Sequence, residues 1–173
     1  MRAGIALGSN LGDRMENLRQ ARAALVEAFG PVVCSRVYET DPVGCEPDSG
    51  PYLNAVAEIE YEGQPVLLLD RLQSIEKEMG RPSKRPRNAP RTIDLDILYV
   101  GNLTLGNEEI IIPHPRLHLR RFVLEPLCEI RPELVLPGQH QSVSRLLAQL
   151  PKEPAVRLYV SGIRVCEKDP HFF

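Results

Sequence analysis

The chain has 173 residues, of which 43% are hydrophobic, and its 21 basic and 23 acidic residues leave a net charge of −2. A chain of this length supports one core, and its charge balance gives no general attraction to nucleic acid. No apolar run reaches the length of a membrane span, and the four scattered cysteines indicate neither a disulfide framework nor a zinc site. We expect a single domain over residues 1–160 in a reducing, cytoplasmic setting, with a loosely held tail over residues 161–173.

The N-terminal segment predicts a strand followed by a helix. The stretch "AGIALGSN" is typical of a short strand that breaks at Gly8. Asp13 with Glu16 three residues later forms a capping-box pattern, so a helix should start there and end at Gly30. The segment "VVCSRVY" predicts the second strand.

The central part of the chain predicts a further strand and helix. A loop rich in Pro and Gly precedes "YLNAVAEIEY", whose alternation is typical of a half-buried strand. A second helix should run from Pro65 to Gly80, and a strand from "TIDLDILYV" follows. The order strand, helix, strand, strand, helix, strand predicts an α+β fold, a ferredoxin-like split βαβ sandwich with a mostly antiparallel sheet.

The remainder of the chain predicts shorter elements. The segments "LTL" and "EEIIIP" favour edge strands, "RRFVLEPLCEI" and "SVSRLLAQL" favour helices, and "AVRLYV" favours a last strand.

Two carboxylates lie inside the strand "TIDLDILYV". Because side chains alternate between the faces of a strand, Asp94 and Asp96 should share one face. The opposite face should carry the apolar residues Ile93, Leu95, Ile97 and Tyr99. Like charges at this spacing repel unless a cation lies between them, which indicates a Mg²⁺ site completed by substrate phosphates. The alternative interpretation is an edge strand with a solvated face.

A basic segment precedes this strand and suits phosphate binding. Five basic residues occur without an acidic residue between Gly80 and Asp94, namely Arg81, Lys84, Arg85, Arg87 and Arg91. Arginine binds phosphate oxygens in a bidentate manner, although a solvated charged loop is the ordinary alternative. The P-loop motif is absent, and the turn from Gly8 to Gly12 is only a weak candidate for anion binding.

These motifs resemble those of the 6-hydroxymethyl-7,8-dihydropterin pyrophosphokinase family. The resemblance covers roughly residues 3–150 and includes "IALGSNLGD", "YETDPVG", "YLNAV", "IEKEMGR", "PRTIDLDILYVG" and "IPHPRLHLRRFVLEPL". It implies transfer of the β,γ-diphosphate of ATP to the hydroxymethyl group of 6-hydroxymethyl-7,8-dihydropterin with release of AMP, a step in folate biosynthesis. Small-molecule partners are therefore expected, with no nucleic-acid or membrane partner.

The resemblance also implies site residues. Asp94 and Asp96 would bind two Mg²⁺ ions, and Arg81 and Arg91 would engage the phosphates as catalytic arginines. Positions that would hold ATP are Gln73, Glu76, Lys84, Arg87, Ile97, His114 and Arg120. Positions that would hold the pterin are Thr40, Val43, Tyr52, Asn54 and Phe122. The chain departs from the family pattern at Asn88, where many members carry an aromatic residue.

Two other function classes fit parts of the pattern. A nucleotidyl transferase would also place paired aspartates on such a sheet, but it would attack the α-phosphorus and release pyrophosphate. An RNA-binding module would use a similar sheet with exposed aromatic residues, whereas the central strand here carries carboxylates.

Overall fold

The computed structural model describes residues 1–41, 50–80 and 91–159. Its strands are β1 (Arg2–Ser9), β2 (Val32–Cys34), β3 (Tyr38–Thr40), β4 (Tyr52–Glu60), β5 (Asp94–Val100), β6 (Leu105–Gly106), β7 (Ile111–Ile112) and β8 (Val156–Leu158). Its α-helices are α1 (Arg14–Phe29), α2 (Pro65–Glu78), α3 (Arg121–Ile130) and α4 (Val143–Gln149), with a short 3-10 helix at Leu117–Leu119. Residues 161–173, the expected tail, lie outside the described residues.

The main sheet has the strand order β5-β1-β4-β3-β8, and β2 also pairs with β4. Every pairing in it is antiparallel. Because β4 lies between β1 and β2, the strands on either side of α1 are not neighbours. The predicted class, helices combined with a mostly antiparallel sheet, is confirmed.

Helices cover both faces of this sheet. One core lies between the sheet and α1 and α2, and its largest side chains include Ile5, Leu18, Leu25, Leu53, Leu68, Leu72, Ile75 and Ile93. A second core lies beneath α3 and α4 and contains Val56, Leu98, Tyr99, Leu117, Val123, Leu124, Leu127, Leu136 and Val143. Burial of these apolar side chains holds the layers together and fixes where the strand ends lie.

Helix α1 begins and ends where the sequence predicts. The side chain of Asp13 accepts a hydrogen bond from the amide of Glu16 at 3.0 Å, which satisfies one free donor of the first turn. At the other end Gly30 has a φ of 82°, a value that favours glycine.

The predicted strand "VVCSRVY" is divided into β2 and β3. Cys34 pairs with Ala57 and Tyr38 pairs with Asn54, so three residues on one strand face two on β4. The hydroxyl of Ser35 accepts a hydrogen bond from the amide of Val56 at 2.9 Å within this interruption. The extra residue interrupts the pairing with β4 and divides the predicted segment into two short strands.

Strand β4 is buried on both faces rather than half-buried. Residues 53–59 are all buried, because α3 covers the face that carries Asn54 and Glu58. Glu58 is only 5% exposed and accepts hydrogen bonds from Arg2 and Arg131, each at 3.2 Å, and from the hydroxyl of Tyr99. Paired donors make the burial of this charge tolerable.

The alternation of side chains along β5 is interrupted near its middle. As a result, Tyr99 lies on the face opposite to the predicted one. Its pairing with β1 shifts between Gly4, opposite Tyr99, and Ile5, opposite Ile97, so Leu98 is an extra residue. Tyr99 therefore lies in the core beneath α3, not with Ile97 in the core beneath α1 and α2. The bulge leaves the expected alternation of Asp94 and Asp96 with the apolar residues intact.

The C-terminal third forms the expected short elements. Strands β6 and β7 pair as a two-stranded sheet, and β8 pairs with β3 at the edge of the main sheet, with Val156 opposite Thr40. Among the described residues, no helix is long and apolar enough to cross a membrane.

Candidate active site

A cavity of about 650 Å³ opens where β1, β4 and β5 meet the start of α3. Its floor is formed by the sheet residues Gly8, Asn54, Asp94 and Asp96. Gly8 is central, because it pairs with Asn54 on one side and with Asp94 on the other. The order of strands therefore brings the predicted carboxylates and the predicted pterin residues into one cavity.

Asp94 and Asp96 lie on the same face of β5, and both are partly buried. The guanidinium of Arg91 donates a hydrogen bond to Asp94 Oδ1 at 2.7 Å. Burial opposes the charge of Arg91, but the neighbouring Asp94 carboxylate outweighs this effect and the pKa of Arg91 is raised. One cation, Arg91, thus lies close to both carboxylates on this wall of the cavity.

The donor set fits Mg²⁺ that is completed by a substrate. Carboxylate oxygens are hard ligands, and Mg²⁺ is commonly held by one or two carboxylates together with water and phosphate. Among the described residues, no group of three or more His, Cys, Asp and Glu side chains could hold a metal alone. Because only these two carboxylates would be supplied by the described residues, the remaining ligands of such a metal would come from water and a bound substrate.

A second wall of the cavity is cationic. His114, Arg116 and Arg120 all line it. Burial, together with the charges of Arg120 and Arg116, lowers the pKa of His114 to about 4, so this imidazole is neutral at pH 7. Because its Nδ1 accepts from the amide of Arg116 at 3.2 Å, the ring proton lies on Nε2. The wall therefore offers hydrogen-bond donors suited to phosphate oxygens.

Burial and the neighbouring Arg116 lower the pKa of Arg120, while Asp96 and Asp94 oppose that change. Arg120 remains charged at any ordinary pH. Its guanidinium lies 5.6 Å from the centre of the Phe122 ring, which holds both side chains at the rim of the cavity.

The predicted pterin residues form the other end of the cavity. Thr40, Tyr52, Asn54 and Phe122 all line it. Asn54 is 7% exposed, and its Nδ2 donates to the hydroxyl of Thr40 at 2.9 Å. This bond orients the amide of Asn54, and Gly8 leaves room beside it because it carries no side chain. The arrangement can hold a flat ring with a polar edge.

Some predicted residues do not line this cavity, and others are not described. Gln73 is exposed on α2, Ile97 is buried on the opposite face of β5, and Glu76 is buried against the edge of that strand. Predicted residues that lie outside the described ranges are Val43, Arg81, Lys84 and Arg87.

Part of the cavity wall was not predicted. Arg116 belongs to it, as do Leu150, Pro151, Glu153, Pro154 and Val156. These C-terminal residues reach the cavity because β8 pairs with β3, and the guanidinium of Arg121 donates to the carbonyl of Leu150 at 3.3 Å. The sequence predicted a strand in "AVRLYV", but nothing in a strand pattern identifies its partner.

Comparisons with known proteins identify the family of this chain. A family model described as 7,8-dihydro-6-hydroxymethylpterin-pyrophosphokinase (HPPK) matches residues 4–132. The chain is 44% identical over 156 residues to the 2-amino-4-hydroxy-6-hydroxymethyldihydropteridine pyrophosphokinase of Haemophilus influenzae, which covers 89% of this chain and 96% of that protein. It is 48% identical over 128 residues to the Bacillus subtilis protein of the same name, covering 73% of this chain and 75% of that protein.

A solved structure described as HPPK-DHPS in complex with substrates has a TM-score of 0.69 and 14% sequence identity. The match covers 85% of this chain and 42% of that one, so this chain spans about two fifths of its length. At this identity the likeness shows the fold alone. On the family match and the sequence identities, the chain belongs to the 7,8-dihydro-6-hydroxymethylpterin-pyrophosphokinase family.

Proposed function

We propose that this protein transfers the β,γ-diphosphate of ATP to the hydroxymethyl group of 6-hydroxymethyl-7,8-dihydropterin, with release of AMP, in folate biosynthesis. The observation that carries this proposal is the single cavity lined both by Asp94, Asp96 and Arg91 and by Asn54 and Tyr52. The end with the carboxylates and Arg91 suits a metal-bound phosphate, and the end with Asn54 and Tyr52 suits a flat ring. Membership of the family supports ATP and the pterin as these two substrates.

Asp94 and Asp96 are the residues that we assign to the metal, as two Mg²⁺ ions bound together with ATP. When bound, Mg²⁺ offsets the negative charge of the phosphates and helps to align them. The partial exposure of both carboxylates supports this assignment. The ion pair of Arg91 with Asp94 places a cation beside the same carboxylate, ready to contact a phosphate oxygen.

Arg91, Arg120 and the Nε2–H of neutral His114 bind the phosphates in this proposal. The pterin hydroxyl oxygen attacks the β-phosphorus in line, a new oxygen–phosphorus bond forms, and the bond from the β-phosphorus to the oxygen of AMP breaks. The hydroxyl proton is released to water. Charge stabilisation and alignment supply the rate enhancement, so no general base is needed.

Asn54 recognises the polar edge of the pterin in this proposal, and Tyr52 and Phe122 contact its ring. An amide both donates and accepts hydrogen bonds, which suits an edge with amino and oxo groups. The bond from Asn54 to Thr40 supports a fixed orientation of that amide. The roles expected for other residues remain predictions from the family resemblance, namely Val43, Gln73, Glu76, Arg81, Lys84, Arg87 and Ile97.

The fold and location are part of the same proposal. The strand order β5-β1-β4-β2, with β4 antiparallel to both neighbours, supports a ferredoxin-like split βαβ assignment. The scattered positions of the four cysteines in the sequence, with no paired spacing, support a reducing, cytoplasmic setting.

The experiment that tests the function identifies the nucleotide product. The purified protein is incubated with ATP and Mg²⁺, with and without 6-hydroxymethyl-7,8-dihydropterin, and the nucleotides are separated by chromatography. We expect AMP that depends on the pterin. Pyrophosphate would instead indicate a nucleotidyl transferase, and ADP or the absence of turnover would also overturn the proposal.

A further inference from the structure

The turn between β1 and α1 contacts the segment that leads into β5. The amide of Asn10 donates to the carbonyl of Arg91 at 3.1 Å. In return, the side-chain Oδ1 of Asn10 accepts from the amide of Arg91 at 2.7 Å. Asn10 therefore binds both backbone polar groups of Arg91, three residues before the first carboxylate of the site.

Asn10 is 7% exposed, so this contact is shielded from water. Its Nδ2 is buried and has no hydrogen-bond partner among the described residues, which leaves the bond to Arg91 as the polar contact that orients the amide. A buried donor without a partner is costly. The orientation of the Asn10 side chain therefore satisfies its Oδ1, which accepts from the amide of Arg91, and leaves its Nδ2 without a bond.

Helix α1 braces this turn. The Nδ2 of Asn17 donates to the hydroxyl of Ser9 at 3.1 Å and to the carbonyl of Leu11 at 2.8 Å. Gly12 has a φ of 67°, which a residue with a side chain rarely adopts. The backbone of Arg91 is therefore held against a rigid part of the fold.

The side chain of Arg91 is held at its far end, where the guanidinium donates a hydrogen bond to Asp94 Oδ1 at 2.7 Å. A long side chain loses much of its rotational freedom when both its backbone and its charged group are fixed. Such a cation needs little further ordering when a phosphate arrives, and this is how an enzyme gains rate from alignment.

We propose that Asn10 is a positioning residue for diphosphate transfer, which holds the backbone of Arg91 so that its guanidinium stays beside Asp94. The inference rests on the proposed function. In this proposal the turn from Gly8 to Gly12 positions Arg91, whereas its sequence alone suggested anion binding.

The test uses the full-length protein with Asn10→Ala, which removes the acceptor, and Asn10→Asp, which keeps an acceptor at the same place. The matched control is Asn107→Ala, because Asn107 Oδ1 also accepts from backbone amides, those of Glu109 and Ile110, away from the cavity. Hydrogen exchange of the Arg91 amide is measured by NMR in the absence of substrates, and kcat and KM are measured from AMP formation.

We expect Asn10→Ala to lose protection of the Arg91 amide and to lower kcat about 10- to 100-fold, with KM for the pterin changed less than about twofold. Asn10→Asp should restore the protection and much of kcat. Asn107→Ala should match the wild type in both. Unchanged exchange of the Arg91 amide in Asn10→Ala would overturn the inference, whatever the activity.

A double-mutant cycle separates positioning from general stability. If Asn10 acts through Arg91, adding Asn10→Ala to Arg91→Ala should change kcat less than about twofold, because the group being positioned is gone. An equal loss of kcat in both backgrounds would overturn the inference. Failure of the proposed function is distinguishable, since the wild type itself would then form no pterin-dependent AMP while the exchange measurement would still test the contact.

Discussion

Glu76 on α2 accepts a hydrogen bond from the backbone amide of Leu95 at 2.7 Å. Leu95 is the residue between the two carboxylates of the site, and its amide points away from β1 at the outer edge of β5. Glu76 is only 4% exposed, so a buried carboxylate takes the place of a neighbouring strand. The position of the aspartates thus depends on a side chain from a helix on the other face.

Glu76→Ala should therefore destabilise the protein and lower its activity. The amide of Leu95 would be left buried without its partner, at a cost of about 2 kcal/mol. Glu76→Gln keeps an acceptor oxygen and should retain most of the stability. Urea unfolding of the three proteins measures the difference. Equal losses in both variants would mean that the charge of Glu76, and not its bond to Leu95, is what matters.

His114 should make the protein sensitive to acid. Its pKa is lowered to about 4 by burial and by Arg120 and Arg116, whereas in the unfolded chain it is about 6.5. Between these values the unfolded state binds a proton that the folded state does not, so stability falls as pH is lowered from about 6.5 towards 4.

The wild type should lose roughly 1 to 3 kcal/mol more than His114→Gln between about pH 7 and pH 4.5. Urea unfolding at both pH values measures this, and His140→Gln, away from the cavity, is the control. Parallel losses in all three proteins would contradict the burial of a neutral imidazole at this position.

Gly4 and Gly8 of β1 should respond differently to alanine. A Cβ at Gly4 would overlap the ring of Tyr99, so Gly4→Ala should lower stability by about 2 kcal/mol or more. A Cβ at Gly8 would lie 3.6 Å from Asn54 Oδ1, an ordinary contact, so Gly8→Ala should fold normally. Its methyl group would occupy the floor of the cavity and should raise KM for the pterin several-fold. Thermal melts and steady-state kinetics separate the two effects.

The C-terminal wall should contribute to pterin binding. Ending the chain at Lys152 removes Glu153, Pro154 and Val156 from the cavity beside Thr40. We expect a higher KM for the pterin, with KM for ATP changed little. A chain that ends at Tyr159 keeps all the described wall residues and is the control. If the shorter chain has wild-type kinetics, the wall does not contact the substrate.

Asp96→Ala should abolish turnover while leaving the fold intact. Asp96 is partly exposed at the cavity, so its loss leaves no large void in either core. We expect turnover to fall at least about 1000-fold, with a melting temperature close to that of the wild type. Activity near the wild-type level would contradict its assignment to Mg²⁺.

The sequence predicted the helices and most strands because each carries a local signal. The ends of α1 and the alternation in β5 depend on residues that are close in sequence, so both can be predicted without knowing the fold. The paired carboxylates were found in the same way, since side-chain alternation alone puts Asp94 and Asp96 on one face.

Features that depend on distant contacts could not be predicted in this way. The contact of Asn10 with Arg91 joins residues 81 positions apart, and that of Glu76 with Leu95 joins residues 19 positions apart. The double burial of β4 results from α3, which follows more than 60 residues later. Strict alternation predicts the wrong face for Tyr99, because the extra residue, Leu98, is itself apolar and does not mark the change of face in the sequence.

The bulge at Leu98 divides β5 into two segments with independent requirements. Before it, the face towards the cavity carries Asp94 and Asp96; after it, the same face carries Tyr99, which packs over Gly4 and donates a hydrogen bond to Glu58 beneath α3. The bulge therefore lets one strand present two carboxylates to the cavity and then an aromatic ring to the core beneath α3. A strand without this extra residue would turn the ring of Tyr99 towards the core beneath α1 and α2, away from Gly4 and Glu58.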